Sequence, residues 1–376
     1  MSAARKLLRE LIALPSANPA FLPADDPRGG EQRVAEFLAA TAARNGLDVE
    51  MQEVFPGRPN LLVRLAPRAK PMRRILLAPH LDTVGGDSPA IFRPRERRGR
   101  LHGRGACDTK GSIAAMLTVL IELANLPRRL GRTEIVFAGL VDEENGQAGS
   151  RALVAKGFKA DLAIVGEPTE LQVITAHKGD LWLQVETRGK AAHGSRPELG
   201  RNAVHQMARI VDLLETTYAN ALRQRRHSLL GYPTVSVGTI AGGAQPNIVP
   251  DRCLISIDRR TLPGETETEV RREIRTLLRQ HRLSGALLNL RNAPCPAMET
   301  NPKFPLVEAF LQMAGQKNSI GVDYFCDAAV LAGGGIPSVV FGPGNIAQAH
   351  TEDEWISLGQ LEQATILLRR FLQSLP

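Results

Sequence analysis

Cysteine is scarce in this chain of 376 residues. The four present, Cys107, Cys253, Cys295 and Cys326, are widely spread and form no CxxC pair. A large chain of this kind does not lean on disulfides and points to a reducing cytoplasm. Aromatics make up only 4% of the residues, which leaves little surface for stacking nucleic-acid bases. No uninterrupted apolar run is long enough to span a bilayer, which excludes a membrane helix. In segment 1–12 the charges of Arg5, Lys6, Arg9 and Glu10 interrupt the apolar residues at helical spacing. That is an amphipathic helix and not a secretory leader.

What is present has a globular balance, 43% hydrophobic and 23% charged. The length exceeds what one core usually serves and predicts two domains. A net charge of +8 raises the question of nucleic acid, with basic clusters at 93–104, 223–226 and 271–282. There is no nucleic-acid motif, so these clusters read as solvated helix and loop faces. Attraction of an anionic substrate is a second use for them.

Along the chain the pattern changes twice. Up to about residue 178 it alternates helices (5–14, 32–45, 113–125) with apolar strands (60–65, 74–78, 133–141, 161–165). Segment 93–104 reads as a charged loop. From 180 the strands alternate like half-exposed antiparallel ones, with Leu181, Leu183 and Val185 on one face. The order there is strand 180–188, helix 202–221, strands 234–240 and 253–259, helix 266–280 and strand 286–290. This is the split β-α-β-β-α-β pattern, and Thr266 with Glu269 offers a capping box. From 301 the α/β reading resumes, with helices 305–313 and 357–375 around strand 338–341. The expected division is 1–178 and 292–376 for one catalytic domain and 179–291 for an inserted one.

The chemistry collects at strand ends. Ile75-Leu76-Leu77-Ala78-Pro79 runs into His80 and Asp82, a pair that fits either a structural hydrogen bond or a site. Glu143, Glu144 and Glu167 also follow apolar strands, and Asp108 and His350 sit in loops of the same region. Asp108 and Thr109 precede a helix, where a cap is the ordinary reading. In open α/β sheets the strand ends are where ligands bind. Two histidines and several carboxylates on one rim outline a metal site, with zinc the default and cobalt or manganese the alternatives. Adjacent glutamates repel unless a cation or proton relieves them; two metals would let one be a ligand and the other a base. Cys107 and Cys326 read as packed small residues. Gly333-Gly334-Gly335 lacks the Lys-Ser/Thr of a phosphate cradle.

The ordered set HLDTV (80–84), GRGACDTKG (103–111), DEENGQAGS (142–150), VGEPT (165–169) and QAHTEDEW (348–355) resembles the dinuclear-zinc amidohydrolases and peptidases. That family includes acetylornithine deacetylase, succinyl-diaminopimelate desuccinylase, aminoacylase-1 and the carboxypeptidase G type. The resemblance covers essentially the whole chain. It implies a zinc-peptidase-like catalytic domain, with a central mixed sheet flanked by helices, and an inserted ferredoxin-like lid and dimerisation domain. It implies two divalent ions, zinc or cobalt. Asp108 would bridge them, His80 and Glu167 would complete one ligand set, and Glu144 and His350 the other. Glu143 would be general base and acid, and Asp82 would orient His80. A cis peptide bond is implied at Asp108–Thr109. His193, in a GKAAHGSRP loop (189–197), would stabilise the oxyanion, typically in the partner subunit. Asn247 and Arg260 would bind the substrate carboxylate, with Arg259 on the opposite strand face.

The activity implied is hydrolysis of the amide of an N-acyl amino acid by a metal-activated water. The segments 163–169, 176–179 and 342–350 resemble acetylornithine deacetylase. Desuccinylation of succinyl-diaminopimelate and small-peptide cleavage are the alternatives within the family. A non-catalytic metal-binding relative would need a lost ligand or base, and none is missing. The expected protein is a cytoplasmic homodimer that takes a small-molecule substrate and binds neither nucleic acid nor membrane.

Overall fold

Parallel strands buried on both faces read as unbroken aliphatic runs, because helices cover both sides of the sheet. A computed structural model describes residues 1–86, 88–126, 131–290 and 295–376. It forms two compact units. The first comprises Met1–Thr175, Thr300–Ile320 and Cys326–Pro376. At its centre Thr133–Gly139, Arg73–Pro79, Leu162–Gly166 and Ser338–Val340 lie side by side and parallel. Arg58–Leu65 and Asp48–Phe55 extend one side antiparallel, and on the other Ile174 pairs antiparallel with Val340. The sheet is therefore mixed, as expected. Ile75, Leu76 and Leu77 are wholly buried, each stabilising the fold by about 1.5–3 kcal/mol relative to exposure.

Helices Ala3–Ile12, Lys110–Ala124, Pro305–Met313 and Leu358–Gln373 pack together over the sheet, and Ala148–Ala155 packs with Ala328–Gly333. Lys110–Leu120 is buried all the way round. An apolar helix with no polar face belongs in a core.

Segment 93–104, expected as a loop, is a hairpin. Arg95–Arg97 pairs with Arg100–His102, and Trp355–Ser357 adds a third strand. Arg98 and Gly99 both have positive φ, 50° and 72°, the two-residue turn that matches strand twist. Its arginines conceal the one buried apolar residue of the pair, Leu101. Asp48–Phe55 was also silent in the sequence. It is a mostly exposed sheet-edge strand in which Val49 and Met51 alternate with polar residues but the one buried position is Gln52.

The second unit comprises Ala176–Glu299 and Gly321–Phe325. The boundary expected between 291 and 292 lies outside the described residues. The element order is β-α-β-β-α-β. Its four strands lie antiparallel in the order Thr234–Gly242, Arg252–Thr261, Gly179–Arg188, Ala286–Asn289. Leu181, Leu183, Val185, Ile255 and Ile257 face Met207, Ile210, Val270 and Ile274 in one apolar layer. The Thr266–Glu269 capping box forms. The helix expected over 202–221 instead reads Ala203–Leu213, a π-turn at Leu214–Tyr218, then Ala219–Arg223. The π-turn contains Tyr218, whose buried hydroxyl donates to Glu273 and accepts from Arg259 Nε.

His177 supplies a test of this unit. It is fully buried, Nδ1 lies 2.8 Å from the Lys178 carbonyl, and burial holds its pKa down to about 4. The folded state keeps it neutral while the unfolded chain takes a proton near 6.5. Stability is therefore fully present above pH 6.5 and falls as pH drops towards 4, by about 3 kcal/mol in total. Denaturant titrations at pH 7 and pH 4.5 should show a steeper loss for the wild type than for His177→Gln. Parallel losses would contradict it.

Candidate metal centre

Each parallel strand delivers its next residues to one rim, and the site is built there. His80 follows Arg73–Pro79, Asp142–Glu144 follow Thr133–Gly139, and Glu167 follows Leu162–Gly166. His350 lies in the segment after Ser338–Val340, at a φ of 62°. Asp108 stands just ahead of helix Lys110–Ala124 and does not cap it. Thr109 occupies the cap position without a side-chain cap bond; its hydroxyl donates to the Gly166 carbonyl. The Asp108–Thr109 peptide bond is cis.

Two groups result, His80–Asp108–Glu167 and Asp108–Glu144–His350, each with its ligand atoms within 4.8 Å of one another. Nε2 of His80 lies 2.9 Å from Asp108 Oδ1 and 3.8 Å from Glu167 Oε1. Nε2 of His350 lies 3.2 Å from Asp108 Oδ2 and 3.1 Å from Glu144 Oε2. Asp108 thus turns one oxygen to each group. Glu143 is buried and belongs to neither.

The electrostatics ask for cations. Burial, then the Glu167 carboxylate, pushes Glu143 well above its ordinary value. Glu167 and Glu144 are raised by burial and by the Asp108 charge. Burial works to lower His80, yet Glu167 and Asp108 carry it well above its usual range; hydrogen bonds to Asp108 and Glu144 raise His350 to about 10. Glu167 Oε1 is buried without a hydrogen-bond partner among the described residues. Oxygen and imidazole donors in two triads, an orphaned carboxylate oxygen and crowded negative charge fit a pair of divalent ions.

Asp82 faces His80 and holds a second element as well. His80 Nδ1 is 2.9 Å from the Asp82 main-chain carbonyl and 3.4 Å from its carboxylate. The carboxylate also accepts the amides of Glu143 at 3.1 Å and Glu144 at 3.2 Å, and Asn18 Nδ2 at 2.8 Å. It ties the His80 strand to the Glu143–Glu144 turn. Asn18 also donates to Asp142, which Arg58 pairs with at 3.2 Å while holding buried Glu31 at 2.6 Å. Asp327, buried and pushed up to about 7 by burial, accepts from Ser150 Oγ at 2.5 Å and adds to the charge felt by Glu143. Sequence reading missed Asn18, Arg58 and Asp327, each of which sits in a stretch that looks like loop or packing.

The remaining expected residues belong to the second unit. His193 is exposed, with Nδ1 2.7 Å from Ser195 Oγ. Asn247 is exposed too. Arg259 is wholly buried and paired with Glu265 at 2.7 Å, whereas Arg260 is partly exposed on the opposite strand face, donating to Asp258 at 2.8 and 3.0 Å. Among the described residues no helix is long and apolar enough to cross a membrane. The four cysteines are free and buried.

Residues 76–374 match the model of peptidase family M20/M25/M40. The chain is 34% identical over 381 residues to an acetylornithine deacetylase of Edwardsiella ictaluri (strain 93-146), covering 97% of this chain and 96% of the relative. It is 31% identical over 384 residues to the acetylornithine deacetylase of Proteus mirabilis (strain HI4320), covering 98% and 96%. A tripeptidase structure from Staphylococcus aureus subsp. aureus Mu50 superposes with a TM-score of 0.80 at 21% identity, covering 99% of this chain and 97% of that one. The chain belongs to peptidase family M20/M25/M40 and is a metal-dependent amidohydrolase.

Proposed function

We propose that the protein hydrolyses the amide bond of an N-acyl amino acid, acetylornithine first among them, with two divalent ions held by one shared aspartate. The observation that carries this is the pair of triads meeting at Asp108, with buried Glu143 beside them in neither. His80 and Glu167 would hold one ion with Asp108, and Glu144 and His350 would hold the other with it. Two imidazoles and carboxylates without thiolate suit zinc, with cobalt as a working substitute. When bound, the ions supply Lewis acidity that polarises the amide carbonyl and lowers a water's pKa towards about 7. Glu143 takes a proton from the attacking water and returns it to the leaving amine nitrogen. Three carboxylate ligands leave one positive charge of four uncancelled, a bias suited to a developing oxyanion.

In the second unit, His193 is proposed as an oxyanion donor, and Asn247 and Arg260 as the groups that bind the substrate carboxylate. The unit, residues 179–291 in the expected division, is proposed as a ferredoxin-like lid through which a cytoplasmic homodimer forms. Sedimentation showing only monomer would contradict the dimer. The identities above 30% to two acetylornithine deacetylases support the substrate.

The test is an amine-release screen with zinc- or cobalt-loaded protein. It covers acetylornithine, other acetyl-amino acids, succinyl-diaminopimelate and dipeptides. Release from acetylornithine is expected, and silence across the panel would sink the assignment. Asp82→Asn should lower kcat by about 10–100-fold with little change in KM, because its amide cannot accept from three donors. Steady-state kinetics check this, and an unchanged kcat would show that Asp82 does not support the site.

A further inference from the structure

We propose that Glu354 is the positioning residue for the shared ligand: its carboxylate locks the loop carrying Asp108 to the segment carrying His350. This rests on the two-ion reading above. Glu354 lies four residues after His350, and its side chain is 1% exposed. Its Oε2 accepts from Arg104 Nη1 and from the Gly105 amide, both at 2.9 Å. Its Oε1 accepts from the amides of Cys107 at 2.8 Å and Asp108 at 3.0 Å. The Gly103 amide donates to the Glu354 carbonyl at 2.9 Å.

One residue thereby takes five donors from a six-residue loop. The other two amides of the loop are satisfied elsewhere, Arg104 by the Ile91 carbonyl and Ala106 by that of Gly103. The loop has no free amide in 103–108 with which to adopt another arrangement. Buried amides left unpaired are costly, so the loop keeps its shape only while the carboxylate is there. Asp108 gives one oxygen to each triad. A shift of its backbone therefore moves both ligand sets at once, and His350 moves with the same clamp. Charge-assisted bonds to amides and to a guanidinium are the strong kind, and they suit a residue that must hold sub-ångström geometry.

Glutamine at this position keeps the shape but leaves one oxygen to accept, and turns an NH2 towards two donors. The experiment is calorimetric titration of ion-free Glu354→Gln with zinc and cobalt, beside steady-state kinetics and the melting temperature of the ion-free protein. Both ions should bind about 10–100-fold more weakly, and kcat should fall by a similar factor with KM within about threefold. Glu354→Asp keeps the charge but draws it back by one methylene. It should weaken both ions in the same direction by a smaller factor, and it serves if the glutamine variant fails to fold. Wild-type affinity for both ions in a folded variant overturns the proposal. So does weakening of only one ion, or a lowered melting temperature with affinities unchanged. Wild-type protein that takes up no ion overturns the metal-centre reading itself, and this proposal with it.

Discussion

Glu143→Gln should lower kcat by about 10²–10⁴-fold, the range that a positioned general base supplies. Metal content should stay close to wild type, because Glu143 belongs to neither triad. Its fold role should survive as well, since its contact with Asp82 is made by the main-chain amide, which glutamine retains. KM should change little, because proton transfer is felt in the transition state more than in the bound substrate. The group is suited to the task by its surroundings. Burial and the neighbouring Glu167 raise its proton affinity, so that it can take a proton and later release it to an amine. Steady-state kinetics with elemental analysis of the same sample check this. Activity within tenfold of wild type at full metal content would show that another group is the base.

Asp108→Asn should be more damaging still, because it removes ligand charge from both ions at once. Nε2 of His80 and Nε2 of His350 each lie near a different Asp108 oxygen, at 2.9 and 3.2 Å. An asparagine offers one oxygen and one NH2, so one triad loses its acceptor and the other keeps a neutral one. Both affinities should fall, and the ion facing the NH2 should be lost. Losing the Lewis acid removes several kcal/mol of transition-state stabilisation, about 10³-fold or more in rate. Excess zinc should not restore the rate. Full rescue by added metal would mean that Asp108 is an ordinary ligand to one ion and not the shared one.

The parts of the site that sequence made legible share a physical cause. His80, Glu144 and Glu167 follow strands buried on both faces, and such strands announce themselves as apolar runs broken by a polar residue. Asp108 was visible only through the motif around it, since an acid ahead of a helix looks like a cap. What stayed hidden was the support. Glu354 sits in TEDEW, where a run of acids reads as surface, and its burial comes from a loop 250 residues away in sequence. Asn18 lies in a proline-flanked stop, yet it donates to both Asp82 and Asp142. Arg95–His102 looked like a loop because its charges outweigh the single buried Leu101. Local pattern reports which residues leave a strand; it does not report which distant carboxylate receives the backbone amides of a loop.

The central claim is that two ions share Asp108. Metal-free protein dialysed against dilute zinc or cobalt, followed by elemental analysis and an acetylornithine amine-release assay on the same sample, tests it most directly. Two ions per chain are expected, with hydrolysis that appears as they bind; Asp108→Asn should lose one ion, hold the other more weakly and lose the hydrolysis. Full activity with one ion or none would contradict it.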